Sequence, residues 1–127
     1  MPPEPTVYEV VGGQPFFEAL VDRFYDRVED DPELLAVYPQ PRDLGPARRH
    51  LSLFLAEYWG GPPDYSAERG HPRLRMRHAS FAIGAAQVER WFTHMRAAVQ
   101  EMDPPEQARR PLLEYFERAA PMLQNRA

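Results

Sequence analysis

Histidine and arginine residues concentrate in the segment from Arg69 to Phe81, where four arginines and two histidines fall within thirteen positions. In a short helix, Leu74 and His78 would share one face because they lie four residues apart. Neighbouring cations favour the neutral imidazole of His78, which is the form that ligates metals, and guanidinium groups bind carboxylates. The segment therefore fits a planar ligand with a central metal and carboxylates at its edge, although arginine-rich helix faces are more often simply solvated.

Three further side chains could act on a small ligand at such a metal: Tyr25, Tyr38 and Trp91. Each is large and mostly apolar, and each ends in one hydrogen-bond donor that needs a partner when it is buried. Oxygen on a ferrous haem gains negative charge, which nearby donors stabilise. Taken alone, these aromatic residues fit an ordinary core equally well.

Helical spacing of apolar residues predicts the elements that must position these side chains. We expect an all-α domain of about six unequal helices, since no segment alternates as a strand does. The helices are predicted to begin at Gln14, Pro32, Pro46, Pro72, Ala85 and just after Asp103, with Asp103 as the cap of the last helix. Pro121 should kink the last helix or end it early. The helices at Pro32 and Pro72 are too short to be stable alone, so a prosthetic group between helices would supply burial.

Composition restricts the function classes further. The chain of 127 residues fits one domain, and its formal net charge of −4 argues against nucleic-acid binding. It has no cysteine, which excludes disulfides, thiolate metal sites and cysteine nucleophiles. Neither a membrane-spanning run nor a signal-peptide pattern is present, so we expect a cytoplasmic protein. Residues 1–7 should form a flexible tail, and residues 8–127 the single domain.

Taken in chain order, these motifs resemble those of the truncated haemoglobins of the second group. The resemblance runs from about Tyr8 to Leu123, and the run from Gly70 to Ala79 is its most specific part. The residues that carry it are Val11-Gly12-Gly13, Arg23-Phe24-Tyr25, Val37-Tyr38-Pro39, Phe54-Leu55, Tyr58-Trp59-Gly60-Gly61-Pro62, Tyr65-Ser66, Arg69 through Ala79, and Trp91.

The resemblance implies a truncated globin fold, a two-over-two helical sandwich around haem b. It implies that His78 is the proximal iron ligand, and on a helix its second ring nitrogen can donate to the carbonyl of Leu74. It also implies that Tyr25, Tyr38 and Trp91 line the distal pocket. Many globins carry a distal histidine where this chain has Ala47, so the distal polar contacts must come from other helices.

The resemblance extends to the walls and the rim of the haem pocket. Leu51, Phe54 and Leu55 match apolar pocket positions, while Tyr65 and Arg77 match residues near the haem propionates. One departure concerns His50, which stands where relatives often carry an arginine near a propionate.

The implied function is reversible binding of oxygen and other diatomic ligands, such as carbon monoxide and nitric oxide. An enzymatic alternative is a haem oxidoreductase that detoxifies nitric oxide or uses peroxide, with an electron-donating reductase as partner. A third alternative is a haem-based redox or ligand sensor. A homodimer is compatible with each of these functions.

Overall fold

The computed structural model describes residues 4–79 and 81–126, and for Arg75 the backbone alone. Within these residues the chain forms eight helices and no strand. The helices are α1 (Val7–Val10), α2 (Gln14–Glu29), α3 (Pro32–Leu35), α4 (Gly45–Tyr58), α5 (Asp64–Arg69), α6 (Leu74–Arg77), α7 (Ala85–Met102) and α8 (Glu106–Met122). In the described part of the chain, no helix combines the length and apolar character needed to cross a membrane. Met1-Pro2-Pro3 of the expected tail lie outside the described residues.

Four long helices form the two layers of the molecule. α2 packs against α4, α7 packs against α8, and α2 also contacts α7. Their apolar stripes meet in one core, because residues three and four apart on each helix face the same side. The fully buried side chains of this core include Phe17, Leu20, Val21, Phe24, Val28, Leu55, Met95, Val99, Leu112 and Phe116. The predicted all-α, two-over-two architecture is confirmed.

α1 was not predicted, and tertiary contacts explain why it forms. Thr6 and Glu9 make a capping box, and the Tyr8 N–H donates to the carbonyl of Trp59 at 3.0 Å. This close approach requires glycine at position 61, where an added Cβ would lie 2.5 Å from the Tyr8 ring. A four-residue helix is unstable alone, so α1 depends on this contact with the end of α4.

α5 lies between the helices predicted to begin at Pro46 and Pro72, where the sequence predicted no helix. Tyr65 is buried on the inner side of this helix. Ser66 donates its backbone N–H to Glu57 of α4 at 2.9 Å. Burial and this hydrogen bond fix a six-residue helix whose own apolar periodicity is too short to detect.

The bounds of α6 and α8 differ from the predicted ones. α6 begins at Leu74 and not at Pro72, because Arg73 adopts the left-handed conformation with φ of 44°. Asp103 also has a positive φ, of 48°, and ends α7, while Pro105 occupies the N-cap of α8. α8 continues to Met122, one residue beyond Pro121.

The segment that follows α8 turns back onto the loop after α6. The side chain of Asn125 donates to the carbonyl of His78 at 3.0 Å and accepts the N–H of Ile83 at 3.0 Å. Its backbone N–H donates to the carbonyl of Ile83 at 2.8 Å. Asn125 therefore joins both ends of the loop that leaves His78.

Candidate functional site

A cavity of about 380 Å³ lies between α4, α6 and the segment that joins α3 to α4. A second cavity of about 160 Å³ adjoins it and reaches toward α7 and α8. The residues that line both are Tyr25, Tyr38, Leu51, Phe54, Leu74, His78 and Phe81. Of the other predicted site residues, Ala47, Tyr65 and Arg77 line the larger cavity, and Leu55 and Trp91 line the smaller one. The fold therefore brings all of the predicted site residues to one continuous region.

His78 is positioned by the end of α6. Its backbone N–H donates to the carbonyl of Leu74 at 3.1 Å, and its ring nitrogen Nδ1 lies 2.6 Å from the same carbonyl oxygen. A carbonyl only accepts hydrogen bonds, so Nδ1 must carry the proton. In the neutral ring, Nε2 then keeps its lone pair and can ligate a metal. Phe81 packs edge-on against the imidazole, with 5.2 Å between the ring centroids.

Tyr25, Tyr38 and Trp91 come together from three parts of the fold. The rings of Tyr25 and Tyr38 pack edge to face with centroids 5.7 Å apart. Burial raises the pKa of Tyr38, and hydrogen bonds from Tyr25 and Trp91 offset part of that rise. The resulting pKa is about 12. Burial also raises the pKa of Tyr25, with the Tyr38 hydroxyl adding to the effect. Both phenols consequently stay protonated near neutral pH and can donate.

α4 supplies the apolar wall of the site. Ala47 and Leu51 lie one turn apart on this helix and face the larger cavity. Phe54 packs against Tyr65 of α5 with ring centroids 5.4 Å apart. Leu55 is buried and lines the smaller cavity. An alanine at position 47 leaves this part of the wall without a polar group.

Arg77 lines the larger cavity, yet most of its guanidinium is engaged by the backbone. Nε donates to the carbonyl of Pro72 at 2.7 Å, and Nη2 donates to the carbonyls of Arg69 at 2.8 Å and His71 at 3.4 Å. These bonds hold the chain before α6 in place. Arg77 can offer a carboxylate its remaining nitrogen, Nη1, and its charge.

Arg69 and His50 form a second polar group at the same cavity, and Arg69 was not among the predicted site residues. The Arg69 guanidinium donates to His50 Nε2 at 3.0 Å. Burial and the neighbouring Arg69 charge lower the pKa of His50. The Arg69 Nε is buried and has no partner among the described residues. The sequence offered a signal, since Arg69 opens the arginine-rich segment, but which arginine reaches the cavity depends on the turn at Gly70.

Comparison with known proteins gives a consistent family. A model of bacterial-like globins matches residues 6–125. The group 2 truncated hemoglobin YjbI of Bacillus subtilis (strain 168) is 39% identical over 95 residues, which cover 75% of this chain and 70% of the relative. The group 2 truncated hemoglobin 3-1 of Lotus japonicus is 35% identical over 116 residues, covering 90% of this chain and 68% of the relative.

Solved structures agree with this family. The hemoglobin of Chloroflexus aurantiacus superposes with a TM-score of 0.93 at 50% identity, covering 97% of this chain and all of its own. The group II truncated hemoglobin of Bacillus anthracis superposes with a TM-score of 0.92 at 34% identity, covering 98% of this chain and 95% of its own. The chain belongs to the bacterial-like globin family and, within it, to the group II truncated haemoglobins.

Proposed function

We propose that this chain binds haem b and reversibly binds oxygen and related diatomic ligands, including carbon monoxide and nitric oxide, with His78 as the proximal ligand. The observation that carries the proposal is the hydrogen bond between His78 Nδ1 and the Leu74 carbonyl. It directs the lone pair to Nε2 of a side chain that lines both cavities. When bound, haem would supply a ferrous iron able to take the diatomic ligand.

The residues around the two cavities fit a haem group. Leu51, Phe54, Leu55 and Leu74 present apolar side chains to a flat aromatic ligand. Arg69 and Arg77 place positive charge at the larger cavity. A propionate beside Arg69 would satisfy the buried Nε that has no partner among the residues described. Tyr65 and Arg77 are the other propionate contacts that we propose.

The distal side of the proposed site is formed by Tyr25, Tyr38 and Trp91. The Tyr25 and Tyr38 hydroxyls influence each other's pKa, and the Trp91 indole N–H lowers that of Tyr38. We propose that they donate hydrogen bonds to the diatomic ligand, because no polar group is available from Ala47. A polar ligand such as oxygen gains more from these donors than carbon monoxide does.

The same donors favour a second candidate function. Hydrogen bonds that stabilise negative charge on a ligand also assist cleavage of an O–O bond, so the same site suits a peroxidase or a nitric oxide dioxygenase that works with a partner reductase. Turnover of peroxide, or of nitric oxide with a matched cytoplasmic reductase, would distinguish this enzyme from a carrier. Reversible oxygen binding without turnover would favour the carrier.

The test of the proposed function is spectroscopic. We expect the purified protein to bind one haem per chain and to give ferrous, oxygen and carbon monoxide absorption spectra typical of histidine-ligated haem. His78→Ala should abolish stable haem incorporation, whereas His71→Ala should not. A five-coordinate histidine-type ferrous spectrum that persists in His78→Ala would refute the assignment of His78.

A further inference from the structure

Asp31 is a buried carboxylate between α3 and α7. It is only 7% exposed, and each of its oxygens is held by donors. Oδ1 accepts the N–H of Leu34 at 3.2 Å and an Arg90 nitrogen at 3.1 Å. Oδ2 accepts the same Arg90 nitrogen at 3.1 Å and lies 2.8 Å from His94 Nε2. An unpaired charge at this depth would be strongly unfavourable, so these contacts act as one unit.

A contact with Arg27 fixes the tautomer of the His94 imidazole. His94 Nδ1 accepts a hydrogen bond from Arg27 Nε at 3.3 Å. Because Nδ1 accepts, the proton of the neutral ring is on Nε2, from which it is donated to Asp31. Arg27 lies on α2, so the chain of contacts joins α2, α3 and α7. We call Asp31, Arg90 and His94 the Asp31 clamp.

The chain connects the clamp directly to two of the proposed distal residues, Trp91 and Tyr38. On α7, Arg90 and His94 lie on either side of Trp91 in sequence. On the other side, successive backbone hydrogen bonds run from Asp31 to Tyr38: Leu35 to Asp31 at 2.8 Å, Val37 to Leu34 at 3.0 Å, and Tyr38 to Leu35 at 3.1 Å. A shift of Asp31 relative to α7 would therefore move Tyr38 relative to Trp91.

We propose that Asp31 is a positioning residue that holds the hydroxyl of Tyr38 and the indole N–H of Trp91 in register at the ligand pocket, an inference that rests on the proposed function. The clamp acts through the backbone of α3 and the turn after it. It does not touch the ligand. Its effect on ligand binding should consequently depend on both distal residues being present.

The first measurement is ligand dissociation. Asp31→Asn keeps an oxygen that can accept the Leu34 N–H but removes the charge that pairs with Arg90 and the carboxylate oxygen that accepts from His94. We expect this variant and His94→Ala to raise the oxygen dissociation rate at least threefold and to change the carbon monoxide rate less than twofold. His94→Gln can donate from a similar place and should restore most of the difference. Glu33→Gln is the matched control, since Glu33 is exposed, pairs with the same Arg90 and lies on the same short helix.

A double-mutant cycle separates positioning from general stabilisation. If the clamp works through Trp91, Asp31→Asn should change the oxygen rate less than twofold when Trp91 is already phenylalanine. Independent, additive effects of the two substitutions would overturn the proposal. An oxygen rate that is unchanged in both Asp31→Asn and His94→Ala would overturn it as well.

Amide hydrogen exchange tests the clamp without any ligand. In the wild-type protein, with or without haem, exchange at Val37 and Tyr38 should be slow. It should accelerate severalfold in Asp31→Asn and His94→Ala but not in Glu33→Gln. Unchanged exchange would overturn the clamp even if haem binds. A wild-type protein that binds no haem would refute the proposed function. The exchange measurement would still show whether the Asp31 clamp holds the backbone at Val37 and Tyr38.

Discussion

At the scale of single residues, Trp91 is the proposed distal donor whose loss we expect to matter most. Trp91→Phe keeps most of the apolar wall and removes the indole N–H. A neutral hydrogen bond is worth about 0.5–1.5 kcal/mol, and about 1.4 kcal/mol corresponds to tenfold in rate. We therefore expect the oxygen dissociation rate to rise severalfold to about tenfold, with a smaller change for carbon monoxide. Stopped-flow ligand replacement measures both rates, and equal acceleration of both ligands would mean that Trp91 is a steric gate instead of a donor.

Arg69 and Arg77 should affect haem retention by different routes. Arg77→Ala and Arg69→Ala are both expected to speed the transfer of haem to an acceptor protein. The Arg77 guanidinium holds backbone carbonyls before α6, so part of its effect should persist when the haem propionates are methyl-esterified. The effect of Arg69→Ala should largely disappear with the ester. Arg110→Ala, on an exposed part of α8, is the control.

If Arg77→Ala leaves the haem transfer rate unchanged, the propionate role predicted for Arg77 from the sequence is wrong. If Arg69→Ala speeds the loss of esterified haem as much as that of normal haem, Arg69 supports the loop and does not bind a carboxylate.

At the scale of elements, the start of α6 contains local strain that can be relieved. Arg73 has φ of 44° and ψ of 50°, a conformation that costs an L-residue with a Cβ roughly 1 kcal/mol. Glycine adopts it freely. We expect Arg73→Gly to raise the free energy of unfolding of the haem-free protein by about 0.5–1 kcal/mol, measured by urea titration. Arg73→Ala keeps the strain and should not stabilise, and a destabilised glycine variant would contradict the expectation.

The sequence predicted the long helices because they bury wide apolar stripes. Phe17, Leu20 and Phe24 recur at helical spacing, and their helix begins at the predicted residue, Gln14. α1 and α5 were not predicted because they are stabilised by contacts with residues distant in sequence, such as that of Tyr8 with Trp59. The start of α6 was predicted two residues too early because nothing in the local sequence requires Arg73 to adopt the left-handed conformation.

Part of the candidate site could be predicted from the sequence, for a similar reason. The hydrogen bond from the ring of His78 to Leu74 follows from a four-residue helical spacing, and the structure has it. The engagement of Arg77 by three carbonyls and the pairing of Arg69 with His50 depend on the path of the chain around Gly70. No periodicity encodes that path, so those contacts became visible only in three dimensions.

At the scale of the whole molecule, Asp31 should link stability to pH. Burial raises the pKa of Asp31, but hydrogen bonds from His94, Leu34 and Arg90 outweigh it and bring the pKa to about 2, below the usual 3.8. The folded state therefore binds this proton less readily than the unfolded state does. The stabilisation is fully present above about pH 4 and is lost as the pH falls toward 2.

Comparison of the wild-type protein with Asp31→Asn isolates this contribution. We expect the wild type to be more stable at pH 5 by up to about 2 kcal/mol, and the difference to shrink steadily between pH 4 and pH 2. Urea unfolding at a series of pH values measures it. A difference that is constant over that range would show that the charge of Asp31 contributes nothing to the pH dependence.

The contacts of Asn125 have a consequence for the order of events during synthesis. The carbonyl of His78 is bound by a side chain 47 positions later in the chain. At about 5–20 residues per second, translation reaches residue 125 roughly 2–9 s after residue 78. During synthesis, the loop after His78 therefore lacks this contact while α7 and α8 are being made, and we expect haem to be held stably only once Asn125 has left the ribosome and can form it.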